Sequence, residues 1–453
     1  MKSNRAILVT LCITSFLVPY MGSSLNLALP QIGEAFSLDA KKLGWVNSAF
    51  LIATAILQVP FAKIADLVGR KKVFLCGVGI FGIFSVACAF ANSFALLLTL
   101  RAFSGLGGAM VFGTNMAILS EVYEPSKRGR AMGILTSTVY MALAIGPFLG
   151  GILTHYLGWH SVFWIPGIIL ILQAFTVPFF IRDEWVVSAG GHFDKRGALI
   201  YGVSLFCLIF GFSELPNWNA VGLAVVGLLG LLIFYNFEKR NADPMFQVSL
   251  FGGNKVFTLA SLSAFCSYAA TAAIAFMISL YLQFVRGFEA RTAGLVLVSS
   301  AVVQSLFALY AGKLADKYRP SKIAMLGMAF NALGLLGLTF VNAQTPIYLI
   351  ILMLLFLGVG FGLFASPNTK VIMGSVERRS LGQASATIGT MRLTGQAFSM
   401  GIAMMAISLF VGDNTITAEY FDSFTLSMRL TFAIFAFLCI LGTYASSVYS
   451  KKQ

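Results

Sequence analysis

Long apolar runs recur along the whole of this chain, separated by short polar gaps in which its basic residues are concentrated. A helix needs about 20 consecutive apolar residues to cross the hydrocarbon core of a bilayer, and runs of that length appear from one end to the other. With 58% apolar and 11% charged residues in 453 positions, one soluble core cannot hide so much apolar surface. The sequence therefore predicts an all-α polytopic membrane protein. Its net charge of +14 does not point to nucleic acid, because the Lys and Arg residues occupy the gaps rather than one helix face.

Assigning spans by length places six helices near residues 7–28, 43–62, 73–90, 94–119, 131–153 and 161–181. A second set of six falls near 256–282, 292–311, 323–341, 347–367, 381–411 and 425–449. Two more apolar segments, 197–212 and 220–237, lie between the sets and bring the total to 14. About 60 residues separate Ile7 from Asp66 and Val256 from Asp316, as expected of an internal repeat. The expected organisation is a six-helix bundle over 1–181, a two-helix insert over 182–255 and a second bundle over 256–453.

Orientation follows from charge. Alternate gaps carry clusters such as Arg70, Lys71 and Lys72, or Lys313, Lys317 and Arg319, whereas the opposite gaps hold chiefly Lys41, Lys42, Arg286 and Arg291. By the positive-inside rule both termini are expected to be cytoplasmic, which requires an even number of spans. Lys2 and Arg5 ahead of an apolar run resemble a signal peptide, but no small-residue cleavage site interrupts that run, so a retained first helix is expected. The six cysteines show no paired spacing and read as free thiols in apolar spans. His155, His160 and His192 lack ligand spacing, so neither a metal nor a cofactor is expected.

Two gaps carry the same short motif: Ala62-Lys63-Ile64-Ala65-Asp66-Leu67-Val68-Gly69-Arg70 and Gly312-Lys313-Leu314-Ala315-Asp316-Lys317-Tyr318-Arg319. Each is a tight basic hairpin between apolar runs. The fifth span contains Ala144-Ile145-Gly146-Pro147-Phe148-Leu149-Gly150-Gly151, where glycines allow close helix approach and Pro147 removes a backbone donor. Alone, this reads equally well as a small-residue packing face. Trp159-His160-Ser161-Val162-Phe163-Trp164-Ile165-Pro166 leads into the sixth span, and Arg101 lies within the fourth.

Together these residues resemble the signatures of the major facilitator superfamily, and in particular its fourteen-helix drug:proton antiporter branch. The resemblance implies two six-helix repeats plus two inserted helices, and a secondary active transporter in the cell membrane rather than an enzyme. It implies proton-coupled efflux of small amphipathic or drug-like molecules. Asp66, Gly69, Arg70, Glu121 and Asp316 would form the cytoplasmic gate, and Gly146, Pro147, Gly150 and Gly151 the helix-bending antiporter motif. The clasp of Asp66, Arg70 and Glu121 is expected to hold the cytoplasmic side shut in an outward-facing state. A weaker second copy is expected, because Asp316 is not followed by a Gly-Arg pair.

One departure matters. Exporters of cationic drugs in this branch carry an acidic residue in the first span, where this chain has Tyr20-Met21-Gly22-Ser23-Ser24. Proton-coupling candidates are then Glu121 and Glu214, with Arg101 perturbing their titration from a wet cavity or else snorkelling to the interface. If neither acid serves, the substrate is a neutral or anionic metabolite held by Arg392 with Asn26, Gln58, Asn115, Tyr140, Gln304 and Gln396. A non-transporting ligand sensor on the same fold is a further alternative. The implied partners are a small-molecule substrate, protons and the lipid bilayer, with the chain acting as a monomer.

Overall fold

The computed structural model describes residues 2–187, 191–241, 244–246, 248–377 and 381–450. Among these, 14 helices are long and apolar enough to cross a membrane. They are α1 (Lys2–Phe36), α2 (Ala40–Val68), α3 (Arg70–Cys88), α4 (Phe94–Val122), α5 (Pro125–Leu157), α6 (Ser161–Phe180), α7 (Lys195–Ser213) and α8 (Trp218–Arg240). Then follow α9 (Lys255–Val285), α10 (Ala290–Lys317), α11 (Pro320–Leu338), α12 (Ile347–Gly374), α13 (Leu381–Phe410) and α14 (Phe421–Ser450).

Local chemistry sets the helix starts. Side-chain oxygens of Asp39, Ser93, Asp194, Asn217 and Asn254 accept from backbone amides in the first turns of α2, α4, α7, α8 and α9, satisfying donors that have no partner within the helix. Proline opens α5 and α11, where its missing N–H costs nothing. Between α2 and α3 the connection is a single residue, Gly69, at φ 125°, a conformation that side chains rarely adopt.

Packing repeats between the halves. In the first, α4 lies against α2 and α3, α6 against α3, and α1 against α5; in the second, α12 lies against α10 and α11, α14 against α11, and α9 against α13. The halves meet where α5 packs on α10 and α2 on α13, the pairing expected of a two-fold relation. The inserted α7 and α8 pack on one another, and α7 also contacts α2 and α13, so one of the two seams is covered on its outer side. Large apolar side chains such as Phe179, Leu232 and Phe340 face outward, as a lipid-facing surface requires.

One element departs from the sequence expectation. Instead of running straight through, α9 breaks at Ala270–Thr271 and ends in a π-helical turn, Tyr281–Val285. No Gly or Pro marks the break. The amide of Ala273 instead donates to the Ser399 hydroxyl of α13 at 3.0 Å, so a neighbouring helix supplies the missing partner.

Candidate functional site

The halves are joined at the end of the bundle opposite the termini. There Gly151 of α5 lies against the backbone of α10; a Cβ on it would stand 2.6 Å from the Ala290 carbonyl oxygen. Gly294 of α10 meets the carbonyl of Pro147 in return. Gly146 and Gly150 present their bare faces to Ser23 and Ser24 of α1. The glycine motif therefore serves two interfaces, one within its half and one between halves. Ser279 of α9 donates to the Asn26 carbonyl at 2.7 Å, and the Ala40 amide to Asn414 at 3.1 Å. Asn26 also accepts from Asn47 at 2.7 Å, so it is committed to protein partners rather than open to substrate. Glu214, just past α7, pairs with Lys41 at 2.6 Å and accepts from the Trp45 indole at 3.2 Å, tying the insert to the start of α2 at this same end.

At the end bearing the termini, Arg70 is the centre of a polar clasp. Its guanidinium donates to Asp66 at 2.8 Å, to Glu121 at 2.9 Å and to the Ala117 carbonyl at 3.2 Å. The three expected residues are brought together, but all belong to the first half, and the clasp is formed while the opposite end is closed. It does not join the halves here.

A fourth participant was not legible in the sequence. After α6 the chain runs back beneath the α2–α3 turn, where Glu184 accepts from the Lys71 amide at 2.9 Å and so caps α3, whose cap residue, Gly69, has no side chain. Trp185 accepts from the Arg70 amide at 3.0 Å, and the Val187 amide donates to Asp66 at 3.0 Å. A carboxylate shortly after one helix, together with an uncapped start on another, is the signal that was available. In the second half, Lys370 of α12 pairs with Asp316 at 2.6 Å and donates to Ala315 at 2.8 Å. Asp316, which no Gly-Arg pair follows, thus takes its cation from another helix.

Arg101 stands differently from either expectation, being neither in a wet cavity nor snorkelling outward. It is 2% exposed, donates to the Val46 carbonyl at 2.9 Å, and lies 4.8 Å over Phe50 and 5.9 Å from Phe163. The α2 backbone takes its Nε–H and two aromatic rings lie against its guanidinium, while Glu121 and Glu214 are engaged elsewhere, so the three proton-coupling candidates are not assembled into one site. In the tryptophan segment, Trp159 is buried against Phe36 and Phe163, while Trp164 faces outward.

Near the middle of the bundle Arg392 of α13 is half-buried, 5.1 Å over the Phe112 ring of α4, and makes no ion pair or hydrogen bond among the described residues. Tyr140 of α5 and Tyr268 of α9 lie close enough to interact with one another, and Tyr140 with Arg392. Gln58 of α2 rests against Gly389, one turn before Arg392, while Gln304 and Gln396 are half-buried on α10 and α13. Asn115 donates to Ser15 at 2.8 Å. Among the described residues, every Asp and Glu lies in a connection or within about one turn of a helix end, so no described carboxylate occupies the middle of a span.

The family model for the Major Facilitator Superfamily matches residues 11–235 and 260–451. The chain belongs to the major facilitator superfamily. Among curated members it is 26% identical to the "Riboflavin transporter RibZ" of Clostridioides difficile (strain 630), over all of this chain and 99% of that one. It is 28% identical to the "Multidrug resistance protein Stp" of Mycobacterium tuberculosis (strain ATCC 25618 / H37Rv), over 88% of this chain and 75% of that one. A solved inward-facing, unoccupied bacterial homolog of the human lysosomal transporter Spinster superposes with a TM-score of 0.72 at 17% identity, covering 100% of this chain and 98% of its own. This facilitator is a multi-pass integral protein of the cell membrane, and its relatives place it with transporters of small molecules.

Proposed function

We propose that this facilitator is a secondary active transporter that exports small amphipathic molecules by alternating access, and that its preferred substrates are neutral or anionic. The observation that carries the charge preference is Arg392, a cation in an aromatic setting at mid-depth that has no ion-pair partner, and no carboxylate in a span centre, among the described residues. A cation brought beside it would be repelled where the dielectric is low. With the termini cytoplasmic, the arrangement closed at the opposite end is the inward-facing one. The two bundles, 1–181 and 256–453, rock about the centre, the 182–255 insert rides on the α2–α13 seam, and one chain suffices because both halves border the site.

Proton coupling has only the end carboxylates to use. Glu121 is paired with Arg70 at the end bearing the termini and Glu214 with Lys41 at the other, so a proton on either breaks an ion pair at a bundle end rather than meeting the substrate. Proton-coupled export of cationic drugs is the second reading, favoured by the relative named for multidrug resistance. Flux in proteoliposomes with internal pH recorded separates the two. Anionic and neutral amphipaths moving in preference to cations, with the preference lost in Arg392→Ala, supports the first reading. Proton release coupled to a lipophilic cation and abolished in Glu121→Gln or Glu214→Gln supports the second, and ligand binding without flux would make the protein a sensor.

A further inference from the structure

The centre of the bundle holds buried acceptors without donors beside a cation without an acceptor. Gln58 is 6% exposed, and its Oε1 is buried with no hydrogen-bond partner. Asn115, 3% exposed, spends its amide on Ser15 and leaves Oδ1 buried and unpartnered. Such acceptors are rare in native interiors unless something fills them, because each forfeits the hydrogen bond it had in water. Gln58 is fixed on both sides. Its backbone carbonyl lies 3.2 Å from where a Cβ on Gly113 would stand, beside Phe112, and its Nε2 lies 2.5 Å from the same point on Gly389. Arg392 follows Gly389 by one turn and is held 5.1 Å over Phe112. Its guanidinium carbon thus lies over an aromatic ring, while its N–H groups have no acceptor among the described residues.

Resting on the transport reading above, the geometry points to a specific substrate class: flat heteroaromatic molecules with a cyclic imide edge. Gln58 Oε1 takes the N–H of that edge, Arg392 takes its carbonyl oxygen or the anion formed when the N–H ionises, and the ring body lies among Phe112, Tyr140 and Tyr268. A site built to accept a substrate N–H rejects the analogue lacking it, because the site acceptor is then left unpaired. A planar cation of similar size is disfavoured by Arg392. Gln58 is accordingly a specificity-determining residue and Arg392 the substrate-orienting one.

The test uses the full chain in lipid nanodiscs and three fluorescent tricyclic probes: alloxazine, its 3-methyl derivative, which lacks the imide N–H, and the planar cation proflavine. Alloxazine is expected to bind at least about tenfold more tightly than the 3-methyl derivative, and Gln58→Leu to bring that ratio to within about twofold. Gln58→Met is the replacement if the leucine variant fails to fold. Arg392→Ala is expected to weaken alloxazine and strengthen proflavine relative to it. Equal binding of alloxazine and its methyl derivative by the unaltered protein overturns the inference, as does a discrimination ratio unchanged in a folded Gln58 variant or no alloxazine binding up to its solubility limit. The same probes in proteoliposomes keep the two claims apart. Transport without edge discrimination refutes the substrate class alone, whereas discrimination in binding without flux refutes transport alone.

Discussion

Gly151→Ala isolates what holds the far end of the bundle shut. The new Cβ would stand 2.6 Å from the Ala290 carbonyl oxygen and 3.2 Å from the Arg291 Cα, and the first of these is a backbone atom that no rotamer change can move. Relief requires α5 and α10 to separate by about 0.5 Å, an overpacking cost of about 1–3 kcal/mol. Helix propensity favours Ala over Gly by about 1 kcal/mol, but equally in both conformers, so it cancels from the equilibrium between them. The steric term remains, and 1–3 kcal/mol corresponds to a shift of about 5- to 150-fold away from the closed arrangement. Hydrogen–deuterium exchange over residues 146–157 and 287–297 reads that shift directly, as faster exchange on both sides of the seam. The control is Gly133→Ala on the same helix, where nothing lies within 4 Å. If the two variants exchange alike, the backbone apposition does not set the conformational balance and the reasoning fails.

Arg101→Met is expected to lower yield and resistance to denaturation, because it removes the donor to Val46 and the contacts with Phe50 and Phe163, while leaving the pH profile of flux unchanged. A displaced pH profile in folded protein would restore Arg101 to proton coupling. The two clasps at the end bearing the termini should differ in weight: Arg70→Ala is expected to cost about 2 kcal/mol in SDS-titration unfolding, with the side chain only 12% exposed, and Lys370→Ala less than about 1 kcal/mol, since its pair with Asp316 is largely solvated. Equal losses would contradict that ordering. Ser399→Ala leaves the Ala273 amide without its acceptor, so exchange over residues 270–275 should accelerate while the rest of α9 stays protected. No change there would mean that the break does not depend on the hydroxyl.

Much of the architecture was legible because lipid imposes it. Apolar runs must become helices, short basic gaps must lie outside the hydrocarbon, and the repeat of the Asp66 and Asp316 motifs sets the register of the halves. Hence the 14 spans, including the two in the insert, match the expected segments to within a turn or two at their ends. The clasp of Asp66, Arg70 and Glu121 was legible through its motif. Its capping by Glu184 and the pairing of Asp316 with Lys370 were not, since no motif marks those partners and they are chosen by how helices and connections pack.

Sequence alone thus determined which segments enter the membrane and that the chain is a duplicated facilitator, because burial in lipid acts on each segment independently of its neighbours. Tertiary structure alone decided which polar groups are satisfied. Arg101 and Arg392 look alike as lone arginines in apolar spans, yet one is held by the Val46 carbonyl between two phenylalanines and the other is left without an acceptor where the halves meet. The difference lies in what the neighbouring helices offer each guanidinium, and that depends on helix packing rather than on the residues flanking it.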